Sequence, residues 1–210
     1  MEQSYLIFRH GEAEYWGKDP EVFFPDIEWP LTLRWSEQSK ILAVKLKTRG
    51  LVFDTIYSSP KERAIQTAKI ATQYSRRSET RFELVESINS RFYGEWEWQC
   101  KAGFLAVDNR DIYYNDPHFK PPGGESNFDV YVRTTRWMKG LLEEKKPKSW
   151  IFAISTHSKV FDCLYKYFQS QILWVEPFSI APRKPEYTEV MLVESHSWNE
   201  MPRVITDFIK

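Results

Sequence analysis

The sequence predicts an α/β fold: a mostly parallel central sheet flanked by helices on both faces. Three observations predict it. Short apolar runs alternate with stretches of helical periodicity. Several of those runs end in polar clusters of the kind that build loops at a sheet edge. The 210 residues are 42% hydrophobic, enough for a sizeable core. The expectation is one domain over 1–210, with an irregular cap or insert at about 91–124.

The elements follow in order. Tyr5–Phe8 reads as the first strand, a continuous apolar run. Ser36–Lys47 reads as a helix, with Ile41, Leu42 and Leu46 at helical spacing. Phe53–Tyr57 is the second strand. Ser59-Pro60-Lys61-Glu62 then opens a helix, with Ser59 as cap, Pro60 at the first position and Glu62 completing a capping box. Ala64, Ala68 and Ala71 give that helix a small face for close packing on a sheet. Phe82–Val85 is a shorter third strand.

Arg91 to Gly124 is rich in aromatics, Asp, Asn and Pro, and predicts the excursion with one helix near Lys101–Val107. A long helix starts at Ser126 or Asn127 and runs to about Lys145. Phe128, Tyr131, Val132, Thr135, Met138 and Leu142 form its apolar face, and Pro147 stops it. Trp150–Ser155 is a strongly apolar strand, followed by a helix over Lys159–Gln169. Glu189–Val193 and Arg203–Phe208 read as two last strands. The chain shows no internal repeat and no low-complexity tract.

Composition excludes several classes. Lys plus Arg equals Asp plus Glu at 29 each, so the formal net charge is zero. No basic stripe points to nucleic acid and no polybasic segment to a membrane surface. The nine Trp residues are read as core and rim rather than stacking platforms. Cys100 and Cys163 are far apart and in no metal-ligand spacing, which suits a reducing compartment. No apolar stretch approaches the roughly 20 residues that span a bilayer. The N-terminus enters strand-like sequence too early for a signal core. A soluble, cytoplasmic protein is the expectation, with its oligomeric state open. Asp116-Pro117-His118 does not give metal spacing, so neither a metal nor another cofactor is expected.

Ligands in open α/β sheets gather beyond the carboxyl ends of the strands. Arg9-His10-Gly11-Glu12 follows the first strand there. Ser58-Ser59-Pro60-Lys61-Glu62-Arg63 follows the second, with Arg63 in the first turn of a helix. Thr156-His157-Ser158 follows the Trp150–Ser155 strand at another helix start. Arginines bind phosphate oxygens bidentately, and helix N-termini offer free N–H groups to an anion. Arg9, His10, Arg63 and His157 thus form a candidate phosphoryl site, with Ser158 as a further ligand. The partner is a small phosphorylated substrate or inorganic phosphate. Gly-rich dinucleotide and P-loop patterns are missing, as is a serine-hydrolase elbow.

These motifs carry a resemblance. The chain resembles the histidine phosphatase superfamily, the phosphoglycerate-mutase-like group, over nearly its whole length. The likeness rests on Arg9-His10-Gly11-Glu12, on Pro30-Leu31-Thr32 with Gln38, and on Ser58-Ser59-Pro60 with Arg63, Ala64, Thr67 and Ala68. It continues through Phe92-Tyr93-Gly94-Glu95-Trp96-Glu97, Pro122-Gly123-Gly124-Glu125-Ser126 and Ser155-Thr156-His157. The resemblance implies that His10 is the nucleophile that takes a phosphoryl group. It implies that Arg9, Arg63 and His157 hold the phosphoryl oxygens. It favours a phosphatase over a mutase, because the longer insertions of mutases are missing.

The sequence departs from the family at the acid. The family glutamate that protonates the leaving group sits four residues before the third-motif glycine. That glycine is Gly94, and Ser90 stands four residues back. Serine is no general acid near neutral pH, and such help is worth about 10²–10⁴ in rate. Three readings stay open. Glu86, Glu95, Glu97 or Glu125 replaces the acid; or the leaving group needs little protonation; or the protein is a phosphate-binding or regulatory protein with weak activity. Glu125 has a plainer alternative, as a charge at the start of the long helix. Trp16, Trp35 and Ser158 are milder departures, at family positions usually held by Asn, Gly and Gly.

Overall fold

The computed structural model describes residues 3–13, 30–97, 116–144, 150–183, 189–195 and 203–206. Their six strands are β1 (Gln3–Arg9), β2 (Phe53–Ser58), β3 (Arg76–Leu84), β4 (Ile151–Thr156), β5 (Val190–Ser195) and β6 (Arg203–Ile205). They form one sheet in the order β3-β2-β4-β1-β5-β6. The β3/β2, β2/β4 and β4/β1 pairs are parallel. The β1/β5 and β5/β6 pairs are antiparallel. Among the described residues four α-helices accompany the sheet: α1 (Leu33–Thr48), α2 (Glu62–Ala71), α3 (Asn127–Glu143) and α4 (Ser158–Leu173). None is long and apolar enough to cross a membrane.

The sheet is covered on both faces, which is why β1 reads as an unbroken apolar run. Tyr5 and Ile7 face the layer that contains Val130 and Met138 of α3 with Phe161, Leu164 and Phe168 of α4. Leu6 and Phe8 face Leu42 and Leu46 of α1 with Ala68 and Ala71 of α2. Period-two alternation therefore feeds two separate cores from one strand.

The helices start and face differently from expectation in three places. α1 begins at Leu33 rather than Ser36, because Thr32 caps it by accepting from the Trp35 amide (3.4 Å). Ile41 lies on its solvent side at 57% exposure, while Leu42 and Leu46 are buried. α2 is capped by the extended residue Lys61 without a side-chain bond, so the Ser59–Glu62 capping box does not form. Glu62 instead accepts from Gln66 one turn on (2.9 Å). The small face of α2 packs as expected, with Ala64, Ala68 and Ala71 fully buried. In α3 the buried residues are Val130, Thr134, Met138 and Leu141, so of the expected face Met138 alone is fully buried. Thr134 is small and buried, and its hydroxyl is satisfied there by donating to the Ser87 carbonyl (3.1 Å). The bulky Phe128 and Tyr131 pack at the margin against Phe178.

β3 is longer than its apolar residues suggest, since an edge strand needs no buried face. α3 carries a full capping box between Ser126 and Asp129 (3.0 and 2.8 Å). β6 runs over Arg203–Ile205, and the expected end of that strand at Phe208 lies outside the described residues. Within the excursion, a 3-10 turn at Gly94–Trp96 docks on Pro121–Glu125. Glu95 N–H donates to Pro122 O (3.0 Å) and Glu125 N–H to Phe92 O (2.9 Å). The helix expected at Lys101–Val107 lies outside the described residues.

Candidate functional site

The parallel register brings three strand ends level. Arg9 stands beside Thr156, and Ser58 beside Ser155. Hydrogen bonds continue one step past the strands, from His10 N–H to Thr156 O (2.8 Å) and from Ser59 N–H to Ser155 O (3.0 Å). His10 and His157 are thereby set side by side, with ring centroids 4.9 Å apart at 64°. Arg63 reaches both from the first turn of α2. Its Nε donates to His10 Nε2 (3.3 Å), and its Nη2 donates to His157 Nδ1 (3.4 Å).

Those donors fix the histidine protons. Arginine only donates. His10 Nε2 must therefore accept, and its Nδ1–H donates to the Gly11 carbonyl at 2.5 Å. Gly11 is held in turn, its N–H donating to Thr67 Oγ1 (3.0 Å). A side chain at Gly11 would crowd Trp35, whose Cβ lies 3.1 Å from the position of an added Cβ. His157 Nδ1 also accepts, so its Nε2–H donates to Ser59 Oγ (2.7 Å).

The group is almost dry: His10 and His157 are each 4% exposed, Arg63 6% and Arg9 8%. Burial first, then Arg63 and Arg9, hold the His10 pKa well below the usual 6.5, against the opposing pull of the Gly11 carbonyl. Burial and Arg63 act likewise on His157, helped by His10, Arg133 and Lys61. Both rings are neutral at neutral pH. The formal charge that Arg9 and Arg63 bring is positive. The α2 and α4 N-termini open onto the same edge, with Ser158 as the first residue of α4. The arrangement thus sets two guanidinium cations beside an imidazole whose Nε2 lone pair accepts from Arg63.

Arg9, His10, Arg63, His157 and Ser158 thus gather at one sheet edge. The four carboxylates considered as substitute acids sit elsewhere in the bonding pattern. Glu125 is gripped by Arg133, from Nε (2.7 Å) and Nη2 (3.0 Å), and accepts from the Phe92 amide (3.0 Å). That supports its structural reading, although it precedes the helix cap rather than entering the first turn. Glu86 is exposed and accepts from Asn89 Nδ2 (3.3 Å). Glu95 is exposed and Glu97 half-buried, flanking the buried Trp96. Ser90 is pinned through its backbone, by Asn89 Oδ1 on its N–H (2.8 Å) and Arg133 on its carbonyl (3.0 Å). Trp16 lies outside the described residues. No cluster of metal-ligating side chains occurs among the described residues.

Sequence reasoning missed Ser59, Asn89, Arg133 and Thr67 as supporting residues. Ser59 carried a signal, since it follows a strand at the ligand edge; reading it as a helix cap concealed it. Thr67 stood among the motif residues one turn after Arg63, whose carbonyl it binds; Asn89 and Arg133 reach the site only through tertiary contacts.

Comparison with known proteins follows the same lines. Residues 5–195 match the family model described as histidine phosphatase superfamily (branch 1). A 2,3-bisphosphoglycerate-dependent phosphoglycerate mutase of Mesorhizobium japonicum is 27% identical over 136 residues, 63% of this chain and 65% of that protein. A phosphoglycerate mutase of Schizosaccharomyces pombe is 27% identical over 142 residues, 65% of each. The matches thus span less than two thirds of these relatives. Among solved structures, the alpha-ribazole phosphatase from Shigella flexneri superposes with a TM-score of 0.77 at 20% identity, covering 98% of this chain and 96% of that one. A mycobacterial glucosyl-3-phosphoglycerate phosphatase in complex with inorganic phosphate gives 0.70 at 18% identity, covering 97% and 95%. At these identities the structural likeness speaks for the fold.

Proposed function

The chain belongs to the histidine phosphatase superfamily, branch 1, and from that premise we propose that it hydrolyses a small phosphorylated metabolite through a phosphohistidine at His10. One observation carries the reading. Nδ1–H of His10 is spent on Gly11, so the lone pair sits on Nε2, the nitrogen that faces Arg63. Arg9, Arg63 and Ser158 hold the phosphoryl oxygens, and His157 joins them when its Nδ1 carries a proton. Nε2 attacks phosphorus; the P–N bond forms as the P–O bond to the leaving group breaks. Water then cleaves the P–N bond and returns His10 to its neutral form. Level strand ends supply the fixed geometry that an in-line displacement needs.

The direct test uses an aryl phosphate, whose leaving group needs little acid help. The parent should turn it over and should yield acid-labile phosphoprotein when quenched. Equal turnover by His10→Ala would falsify the reading.

Two other readings have their own support. Ser90 at the acid position favours a phosphate-binding or regulatory protein of weak activity; His10-dependent turnover well above background would exclude that. The mutase names of the relatives favour a phosphotransferase; transfer of the phosphoryl group to an added acceptor, rather than to water, would distinguish it.

A further inference from the structure

Residues 87–90 span the end of a 3-10 turn (Glu86–Ile88) and the two residues after it, and side chains bind their four successive carbonyls. Ser87 O accepts from Arg133 Nη1 (2.8 Å) and Thr134 Oγ1 (3.1 Å). Ile88 O accepts from Thr156 Oγ1 (2.8 Å). Asn89 O and Ser90 O both accept from Arg133 Nη2 (2.9 and 3.0 Å). Arg133 is itself anchored by Glu125. With every carbonyl of the four bound, the backbone that carries Asn89 is held in place.

The Asn89 side chain is oriented as a result. Its Oδ1 accepts from the Ser90 amide (2.8 Å), and its Nδ2 donates to Glu86 (3.3 Å). These two bonds settle which way the amide points. Oδ1 also receives the Ser59 hydroxyl (3.3 Å). A serine hydroxyl has one proton. Spending it on Asn89 leaves Ser59 Oγ as an acceptor toward His157 Nε2–H.

We infer that Arg133 and Asn89 are positioning residues for His157, acting through the Ser59 hydroxyl to keep the proton on Nε2 and the Nδ1 lone pair on the Arg63 side. The inference rests on the phosphatase reading for its catalytic meaning, though not for its geometry. With Nε2 pinned as a donor, any proton that His157 gains goes to Nδ1. A monoprotonated phosphoryl group supplies one: its O–H bond breaks, an N–H bond forms at Nδ1, and the imidazolium then donates to the oxygen left anionic. Without the relay, neutral His157 divides between tautomers, and part of the population lacks the pocket-side base.

The experiment reads histidine nitrogen resonances by NMR in the full-length protein, free and with inorganic phosphate, beside steady-state rates on an aryl phosphate. In the free parent, His157 should be the Nε2–H tautomer. Ser59→Ala, Asn89→Leu and Arg133→Gln should each give a tautomer mixture and lower kcat about tenfold or more. Asn89→Asp, which keeps the acceptor, should retain the parent tautomer. Combined with His157→Ala, the Ser59 and Asn89 changes should cost no further activity; a merely structural defect would still cost some. A pure Nε2–H tautomer in both Asn89→Leu and Ser59→Ala overturns the inference. Those two variants decide it alone if Arg133→Gln does not fold. A parent without turnover removes the phosphatase reading, while the resonances still decide the relay.

Discussion

Nε of Arg63 donates to Nε2 of His10 across 3.3 Å, so the cation marks the nitrogen that carries the lone pair. The same guanidinium donates to His157 from Nη2. One planar fork thus ties together two rings from separate strand ends.

Replacement of that fork should be costly. Lysine keeps the charge but offers no planar pair of donors. Arg63→Lys should lower kcat/KM on an aryl phosphate at least about a hundredfold, with the thermal midpoint little changed. Parent-like kcat/KM in the lysine variant would mean that charge alone suffices.

Stability should depend on pH in a definite direction. His10 and His157 bind protons more weakly when folded than at the ordinary 6.5. As pH falls, the unfolded chain therefore takes up protons first. The contribution is fully present above about pH 6.5 and is lost as pH falls toward the depressed folded-state values. Urea midpoints should drop between about pH 8 and pH 5.5, and His157→Gln should flatten that drop. A flat parent profile would contradict the sign.

Gly94 supports the docking of the 3-10 turn. Its φ is +57°, and an added Cβ would lie 2.2 Å from Pro122 O and 2.5 Å from Gly124 N. Both neighbours are backbone and cannot swing aside. Gly94→Ala should destabilise the protein by about 2 kcal/mol or more, read from denaturant unfolding.

Ser90→Glu should restore an acid to the site. Hydrolysis of alkyl phosphates should rise tenfold or more, by about the factor general acids commonly supply, while aryl phosphates change little. No gain on alkyl substrates would mean that another group already donates the proton.

Cys163 is buried, and burial pushes its thiol pKa up to about 12. It should resist alkylation in the folded protein and react after unfolding. Mass spectrometry of labelled peptides checks this; rapid labelling of Cys163 under native conditions would show that α4 opens.

The sheet was legible because its strands announce themselves twice, by apolar runs and by the polar clusters that end them. Arg9, His10, Arg63 and His157 followed, since Arg9 ends a strand and the other three sit one to five residues beyond one. Helix facing was less legible. Val130 and Thr134 take the inner side of α3 in place of the larger Phe128 and Tyr131, and the Thr134 hydroxyl finds a partner there in the Ser87 carbonyl. Ser59 matched a capping signature, yet its oxygen is bound by His157, 98 residues away. Local pattern carries no information about so remote a competitor.

Parallel pairing of β1 with β4 also sets a timetable. Arg63 lies 53 residues after His10 and 94 before His157. While a ribosome is still making the chain, Arg63 emerges well before the strands that flank β1, which must wait for most of the sequence. Until then Tyr5–Phe8 is an unpaired apolar strand, and chaperones or aggregation compete for it.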